Sequence, residues 1–353
     1  MTIAAARREI RWGMIGAGNV TELKSGPAFN KIPGSSLVAV MRRTAHLAQD
    51  YAQRHGIPAW FADADELISS HEVNAVYIAT PPNMHADYAI KAMKAGKPVY
   101  VEKPMALKYE DCRKMLKASQ ETGQPLYVAY YRRALPAFVK VKELIDTGQI
   151  GTPLLVEVVL HREARESDRQ PDTNSWHVNP DIAGGGYLFD LASHQLDYLD
   201  FLFGPVVEAK GIAVNQAGLY PAEDTVSATF SFENGVVGTG SWCFVAPKPA
   251  VTDIIKITGT QGYITIPSFT HGEVTMHNQE GVHKYRFQNH ENIQFNLIRQ
   301  VVADLQGNSS ATCWSTGESA ARTSAVLEEL VKGYYRNRNR DSGRNKGSCR
   351  VSL

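Results

Sequence analysis

The sequence predicts an α/β protein with two domains, the first built on a parallel sheet with helices on both faces and the second on a mostly antiparallel sheet. The chain has 353 residues, more than one ordinary core accommodates. Apolar strand-like runs alternate with helical patterns up to about residue 131, and such alternation calls for parallel strands joined by right-handed crossovers. Past residue 150, β-rich runs follow one another closely, as antiparallel strands do.

Composition argues against several other classes of protein. The chain is 43% hydrophobic and 21% charged, and its net charge of +1 gives no general attraction to nucleic acid or to an anionic membrane. We expect neither a signal peptide nor a membrane span, because no run of about 18 apolar residues occurs. The four cysteines form no C-x-x-C pair, which disfavours a zinc site and favours the reducing cytoplasm. Residues 336–353 are polar and basic and are predicted to be a disordered tail.

The first strand, EIRWGMI, runs into a glycine turn. Gly16 and Gly18 suit a tight turn that brings backbone amides to a pyrophosphate, although Thr21 replaces the usual third glycine. Alone, a G-x-G is equally typical of an ordinary turn. Its place between a strand and the helical pattern Thr21–Ile32 favours a dinucleotide site. The residues predicted to contact the cofactor here are Gly16, Ala17, Gly18, Asn19 and Val20.

The second strand, SSLVAVM, ends in Arg42 and Arg43. At about 20 residues past the glycines, an NAD enzyme usually places an acid that binds the ribose hydroxyls. A guanidinium can instead pair with a 2′-phosphate through two hydrogen bonds. The pattern therefore favours NADP(H), with NAD as the alternative, unless both arginines are merely solvated.

Two further buried strands, NAVYIAT and KPVYVE, flank the amphipathic segment HADYAIKAMKAG. Ligands of parallel sheets bind at the carboxyl ends of the strands. We therefore expect the residues that follow these two strands to lie along the cofactor: Thr80, Pro81, Pro82, Asn83, His85, Glu102 and Lys103. A lysine at a strand end is by itself more often a surface residue than a catalyst.

The second half contains the β-rich runs PLLVEVVLHRE, VEAKGIAVNQ, DTVSATFSFE, GVVGTGSWCFV, DIIKITGT and GYITIP. Between the first two of these runs lies one helical pattern, GGGYLFDLASHQLDYLDFLFG. On it, Asp190, His194 and Asp197 share a stripe. One interpretation is a buried polar network in which Asp190 holds the imidazole. A metal site is disfavoured because no further ligand is convincing.

Taken in order, the motifs resemble those of the Gfo/Idh/MocA oxidoreductase family from about residue 10 to 335. They are GAGNV, ATPPNMH, AGKPVYVEKP, Tyr130-Tyr131-Arg132-Arg133 and the GGG…D…H block. The resemblance implies a Rossmann dinucleotide-binding domain (residues 1–131) and a C-terminal α/β domain (132–335) with a large open sheet that carries a dimer or tetramer contact. It implies hydride transfer at a hydroxyl or carbonyl of a sugar or polyol. The family's catalytic residues fall on Lys103, Asp190 and His194, with Pro104 cis.

These residues support a mechanistic hypothesis. His194, with a pKa near neutrality, takes the hydroxyl proton, while Lys103 stabilises the oxyanion or shares the proton transfer. Asp190 orients the imidazole or binds a substrate hydroxyl. The candidate sugar contacts are Tyr130, Arg133, Trp176 and His177, the last standing where relatives often have arginine.

Two other functions use the same residues. One is a glycosidase that retains its nicotinamide and oxidises the sugar ring transiently. The other is a catalytically silent sensor of sugar and cofactor, which intact Lys103, Asp190 and His194 disfavour.

Overall fold

The computed structural model describes residues 8–170, 175–270, 272–308 and 313–344, with side chains up to residue 336. The N-terminal domain is a six-stranded parallel sheet of order β3-β2-β1-β4-β5-β6. Its strands are β1 (Ile10–Ile15), β2 (Ser35–Met41), β3 (Ala59–Phe61), β4 (Ala75–Ile78), β5 (Val99–Val101) and β6 (Leu126–Val128). Its helices are α1 (Asn19–Leu23), α2 (Gly26–Asn30), α3 (Ala45–His55), α4 (Ala64–Ser69), α5 (His85–Lys94) and α6 (Tyr109–Thr122).

The helix expected over Thr21–Ile32 is split into α1 and α2. A Cβ on Gly26 would lie 2.3 Å from the carbonyl oxygen of Thr21, so only glycine lets the chain double back there. Thr21, at the position of the missing fingerprint glycine, is buried and donates its hydroxyl to the carbonyl of Gly18 at 2.8 Å. This side chain therefore fastens the glycine turn to the start of α1.

The C-terminal domain is an eight-stranded sheet of order β14-β13-β12-β11-β7-β10-β9-β8, antiparallel except between β7 and β10. Its strands are β7 (Pro153–His161), β8 (Val206–Val214), β9 (Thr225–Phe232), β10 (Val237–Cys243), β11 (Thr252–Gly259), β12 (Gly262–Ile266), β13 (Val274–Asn278) and β14 (Gly281–Tyr285). The remaining helices are α7 (Pro136–Asp146), α8 (Pro180–Ala183), α9 (Ser193–Phe203), α10 (Phe295–Leu305) and α11 (Gly317–Arg344).

Helices α9 and α11 cover one face of this sheet, and the opposite face carries exposed apolar side chains. Gly211 of β8 packs directly on Leu330 of α11, so its neighbour Ile212 points to the other side, where it is 74% exposed. Val237 of β10 is 49% exposed.

The predicted division of the chain needs two corrections. After the second sheet, α10 returns to the first domain, where Leu297, Ile298 and Val301 share a buried cluster with Trp12. The predicted tail is also partly helical, because α11 continues to Arg344 with no proline to end it. Residues 345–353 lie outside the described part of the chain.

Within the described residues, no helix has the length and apolar character that a membrane span requires. Cys112, Cys243 and Cys313 are free thiols.

Candidate active site

The carboxyl ends of β1, β4 and β5 open onto a cleft of about 770 Å³ between the two sheets. Ten residues singled out from the sequence line this cleft: Asn19, Val20, Thr80, Pro82, Glu102, Lys103, Trp176, His177, Asp190 and His194. The first six come from the N-terminal domain and the last four from the C-terminal domain. The cleft thus combines the predicted cofactor edge with the predicted catalytic helix.

The glycine turn fits a dinucleotide. Gly16 has φ +96, and a Cβ there would lie 2.8 Å from the backbone of Ala79, so the position requires glycine. A Cβ on Gly18 would meet no atom within 4 Å, which leaves open space above the turn for a pyrophosphate. Nearby, the hydroxyl of Thr80 is buried without a hydrogen-bond partner among the described residues.

Arg42 and Arg43 follow β2 beside this turn, because the amide of Gly16 donates to the carbonyl of Met41 at 3.0 Å. Arg43 is exposed and Arg42 is half-buried. No acidic residue stands at the end of β2, as the sequence indicated.

His85 does not reach the cleft. It is fully buried, and its ring nitrogens lie 2.8 Å from the carbonyl of Thr80 and 3.0 Å from that of Pro104. It therefore joins the loops that follow β4 and β5, rather than facing a cofactor as expected. Asn83 is exposed and Pro81 half-buried, and neither lines the cleft. The peptide bond between Lys103 and Pro104 is cis, as the resemblance implied.

Lys103 is paired with Asp190 across the cleft. Its ammonium donates to Asp190 Oδ1 at 2.5 Å and to the Asp190 carbonyl at 2.7 Å, and both side chains are 15% exposed. Burial by itself would raise the pKa of Asp190, but the positive charges of Lys103 and then His177 outweigh it and lower the pKa to about 2. Asp190 is therefore a carboxylate that holds the ammonium, not the imidazole.

His194 lines the cleft, but no carboxylate of the described residues is paired with it. Its Nδ1 is buried without a partner in the described part of the chain, whereas Nε2 is not among the buried unpartnered atoms there. Burial, followed by the charges of Arg132 and Lys103, lowers the pKa of His194 well below its ordinary value. The expectation of a pKa near neutrality is wrong, and the imidazole is neutral at pH 7.

A π-helical turn over Leu188–Ala192 precedes α9 and changes the spacing of its side chains. Asp197, expected on the same stripe as Asp190 and His194, is instead fully buried against Arg133. The glycines that open the segment allow close packing, since a Cβ on Gly186 would lie 2.7 Å from the carbonyl oxygen of Glu223.

Tyr130 and Arg133, expected to contact substrate, lie behind the wall of the cleft. Tyr130 is fully buried, and Arg133 binds Asp197 at 2.7 Å and Asp200 at 3.1 Å. Their neighbours Tyr131 and Arg132 line the cleft instead. The Tyr-Tyr-Arg-Arg motif marked the right place, but it could not show which member of each pair faces outward.

Trp176 and His177 both line the cleft. The Trp176 ring is stacked on that of His177, with centroids 3.7 Å apart, and His177 Nδ1 lies 3.8 Å from Asp190 Oδ2. Burial lowers the pKa of His177, although Asp190 opposes this.

Sequence reasoning missed the loop that follows β12. Phe269 of this loop lines the cleft with its ring 6.3 Å from that of His194. The carboxylate of Asp253 fixes the loop by accepting the backbone amides of Ser268, Phe269 and Thr270 at 2.7 to 2.8 Å. No sequence motif indicates that this loop lines the cleft. Among the described residues, no cluster of side chains is suited to hold a metal ion.

Two family models match the chain. Residues 10–130 match the oxidoreductase family with an NAD-binding Rossmann fold, and residues 138–265 match the GFO/IDH/MocA C-terminal domain.

Individual proteins resemble the chain over most of its length. Oxidoreductase P35 of Formosa agariphila is 37% identical over 90% of this chain and 97% of its own. The 1,5-anhydro-D-fructose reductase of Ensifer adhaerens is 29% identical over 77% of this chain and 81% of its own. The solved structure of a levoglucosan dehydrogenase in complex with NADH and levoglucosan has a TM-score of 0.84 at 21% identity, covering 93% of this chain and 98% of its own.

Proposed function

The chain belongs to the Gfo/Idh/MocA family of oxidoreductases, and we propose that it is an NADP(H)-preferring enzyme acting on a hydroxyl or carbonyl carbon of a sugar or polyol. The observation that carries this proposal is the meeting of Lys103 and His194 at the cofactor edge of one cleft. The names of relatives agree with the substrate class, since they include an anhydrofructose reductase and a levoglucosan dehydrogenase.

The two side chains have complementary properties. Lys103 has three N–H donors and gives two of them to Asp190, so one remains for a substrate oxygen. His194 is neutral and can accept a proton at Nε2. A fixed positive charge beside a neutral base is the combination that removal of a hydroxyl proton requires.

The reaction follows from these properties. The substrate hydroxyl lies between the Lys103 ammonium and His194 Nε2. His194 takes the hydroxyl proton as the C–H bond breaks and the C=O bond forms, while Lys103 stabilises the negative charge that develops on the oxygen. A nicotinamide, when bound, would accept the hydride in oxidation or supply it in reduction. In reduction His194 returns the proton.

The cofactor preference rests on Arg42 and Arg43. Both follow β2 next to the glycine turn, where the adenosine ribose of a bound dinucleotide belongs, and in the sequence they occupy the place of the acid that binds ribose hydroxyls. The purified enzyme is assayed with NADP⁺ and NAD⁺ at 340 nm against aldoses, inositols and sugar acids. We expect a higher kcat/KM for NADP⁺, and replacing both arginines by serine should reduce that preference by about 10- to 100-fold. A preference for NAD⁺ in the unaltered enzyme would refute the role of the arginines.

The same panel tests the reaction itself. Cleavage of a nitrophenyl glycoside without net change in nicotinamide absorbance would replace the proposed activity by the hydrolytic one. Tight binding of cofactor and sugar without any turnover would favour a sensor.

We also propose that the chain forms a homo-oligomer through the uncovered face of the eight-stranded sheet. The apolar side chains of Ile212 and Val237 on this face support the proposal. A cytoplasmic location is proposed because Cys112, Cys243 and Cys313 are free thiols.

A further inference from the structure

Arg132 is a buried cation without a counter-ion. It is 4% exposed, yet no carboxylate oxygen lies within 4.0 Å of its guanidinium among the described residues. Its Nε donates to the carbonyl of Ser268 at 3.0 Å, and its Nη1 is buried without a partner in the same part of the chain. A buried charge normally has a partner, because leaving water costs free energy that a neutral surrounding does not return.

The next residue shows what a compensated guanidinium looks like in the same fold. Arg133 is 3% exposed and binds the carboxylates of Asp197 and Asp200. Arg132 has aromatic neighbours instead, with its Cζ 4.2 Å from the Phe269 ring and 5.2 Å from that of Tyr131. Such rings attract a cation but do not neutralise it.

The carboxylates that line the cleft are already engaged. Asp190 holds Lys103, Glu291 is paired with Lys31, and Glu102 accepts hydrogen bonds from Tyr77 and Gln294. None of them is left to balance Arg132. A second guanidinium lies on the same wall, since Arg162 Cζ is 5.8 Å from the Phe269 ring.

The position of Arg132 points to the substrate rather than the cofactor. Ser268 and Phe269 belong to the loop after β12, in the domain that does not carry the glycine turn. The Phe269 ring also lies 6.3 Å from that of His194, so Arg132 and the proposed base flank the same part of the cleft.

We propose that Arg132, supported by Arg162, binds an anionic group on the substrate, so that the enzyme acts on acidic sugars rather than neutral ones. This rests on the function proposed above and narrows it. The planar guanidinium can donate two parallel hydrogen bonds to a carboxylate or to two oxygens of a phosphate ester. The bound anion balances the buried charge.

The test compares substrates that differ at one carbon. The holoenzyme is assayed with D-glucose, D-glucuronate and D-glucose 6-phosphate, and with the corresponding galactose series. We expect kcat/KM to be at least about 10-fold higher for a charged member than for its neutral parent. Preference for the uronate assigns a carboxylate and preference for the 6-phosphate assigns a phosphate ester. A higher kcat/KM for the neutral sugars overturns the inference while leaving the oxidoreductase function in place.

Variants of Arg132 test whether this residue causes the preference for acidic sugars. In Arg132→Met, the ratio of kcat/KM for acidic to neutral sugar should fall about 10- to 100-fold, with partial recovery in Arg132→Lys, which keeps the charge but not the fork. Arg113→Met, an exposed arginine on α6, is the matched control and should keep the wild-type ratio. An unchanged ratio in Arg132→Met overturns the assignment.

Thermal unfolding supplies a readout that does not depend on turnover. At constant ionic strength, acidic sugars should raise the Tm of the wild-type holoenzyme more than neutral sugars do, and this difference should vanish in Arg132→Met. Arg132→Met without sugar should unfold no earlier than wild type, because an uncompensated buried charge has been removed. Equal Tm shifts for both classes of sugar would show that the role of Arg132 is purely structural. The same conclusion would follow if Arg132→Met had a markedly lower Tm but an unchanged ratio of kcat/KM for acidic to neutral sugar.

Discussion

Replacing Lys103 by methionine separates the chemical role of its ammonium from its structural one. The ammonium holds Asp190 at 2.5 Å and leaves one N–H for the substrate oxygen. Methionine has a similar length but no charge, so turnover should fall by about 10²–10⁴-fold. Lys94→Met, at an exposed position on α5, is the control and should retain wild-type activity.

The same substitution should also lower the free energy of unfolding, by an amount that depends on the Lys103–Asp190 ion pair. The pKa of Asp190 is lowered from 3.8 to about 2, a difference that corresponds to about 2 kcal/mol. Because the folded pKa lies below the unfolded one, this stabilisation is complete at neutral pH and is lost only as the pH falls through about 4 towards 2. Removing one partner of a buried pair adds the cost of the stranded charge, so we expect about 2–4 kcal/mol at pH 7.

The double variant Lys103→Met/Asp190→Asn is the decisive measurement. Asparagine removes the stranded charge, so urea unfolding should show a free energy within about 1 kcal/mol of wild type, whereas activity should stay low. Activity of Lys103→Met within threefold of wild type would refute the catalytic role. A double variant no more stable than Lys103→Met would refute the electrostatic reasoning.

Three further predictions concern other parts of the molecule. Burial lowers the pKa of His194, so below about pH 6.5 the unfolded chain binds more protons than the folded one, and the free energy of unfolding should fall as the pH decreases there. The rate of oxidation should show no titration of His194 near pH 6.5. Gly186→Ala should lower the free energy of unfolding by about 1–3 kcal/mol, because the added Cβ meets the backbone of Glu223. In Gly18→Ala the added Cβ meets open space, so this variant should unfold like wild type, but fluorescence titration should show weaker binding of the dinucleotide. Ile212→Asp should yield monomers in sedimentation velocity, and an unchanged oligomer would place the contact elsewhere.

Local patterns predicted the first domain well because its signals are local. The apolar runs of β1, β4 and β5 are buried along their length apart from Arg11, and Lys103 comes soon after β5. The strands β3 and β6, at the two edges of this sheet, were not predicted, and β3 has no fully buried residue that would mark it as a buried apolar run.

Pairwise relations were harder to predict than positions. The sequence placed Asp190 and His194 four residues apart, but a π turn directs the carboxylate to Lys103 and leaves the imidazole without it. Nor does composition separate Arg132 from Arg133, since only the packing of distant segments decides which one meets Asp197. Burial likewise shifts the pKa of His194 in a way that no spacing reveals.

The return of α10 to the first sheet has a consequence for biosynthesis. The cluster around Trp12 includes Leu297, Ile298, Val301 and Cys313, which a ribosome adds only after the entire second sheet. Multidomain chains generally fold domain by domain from the N-terminus during translation. The nucleotide-binding half cannot complete its core in this way, because part of that core is made last. A nascent chain stalled before α10 should therefore remain sensitive to protease in this half until that helix has been added.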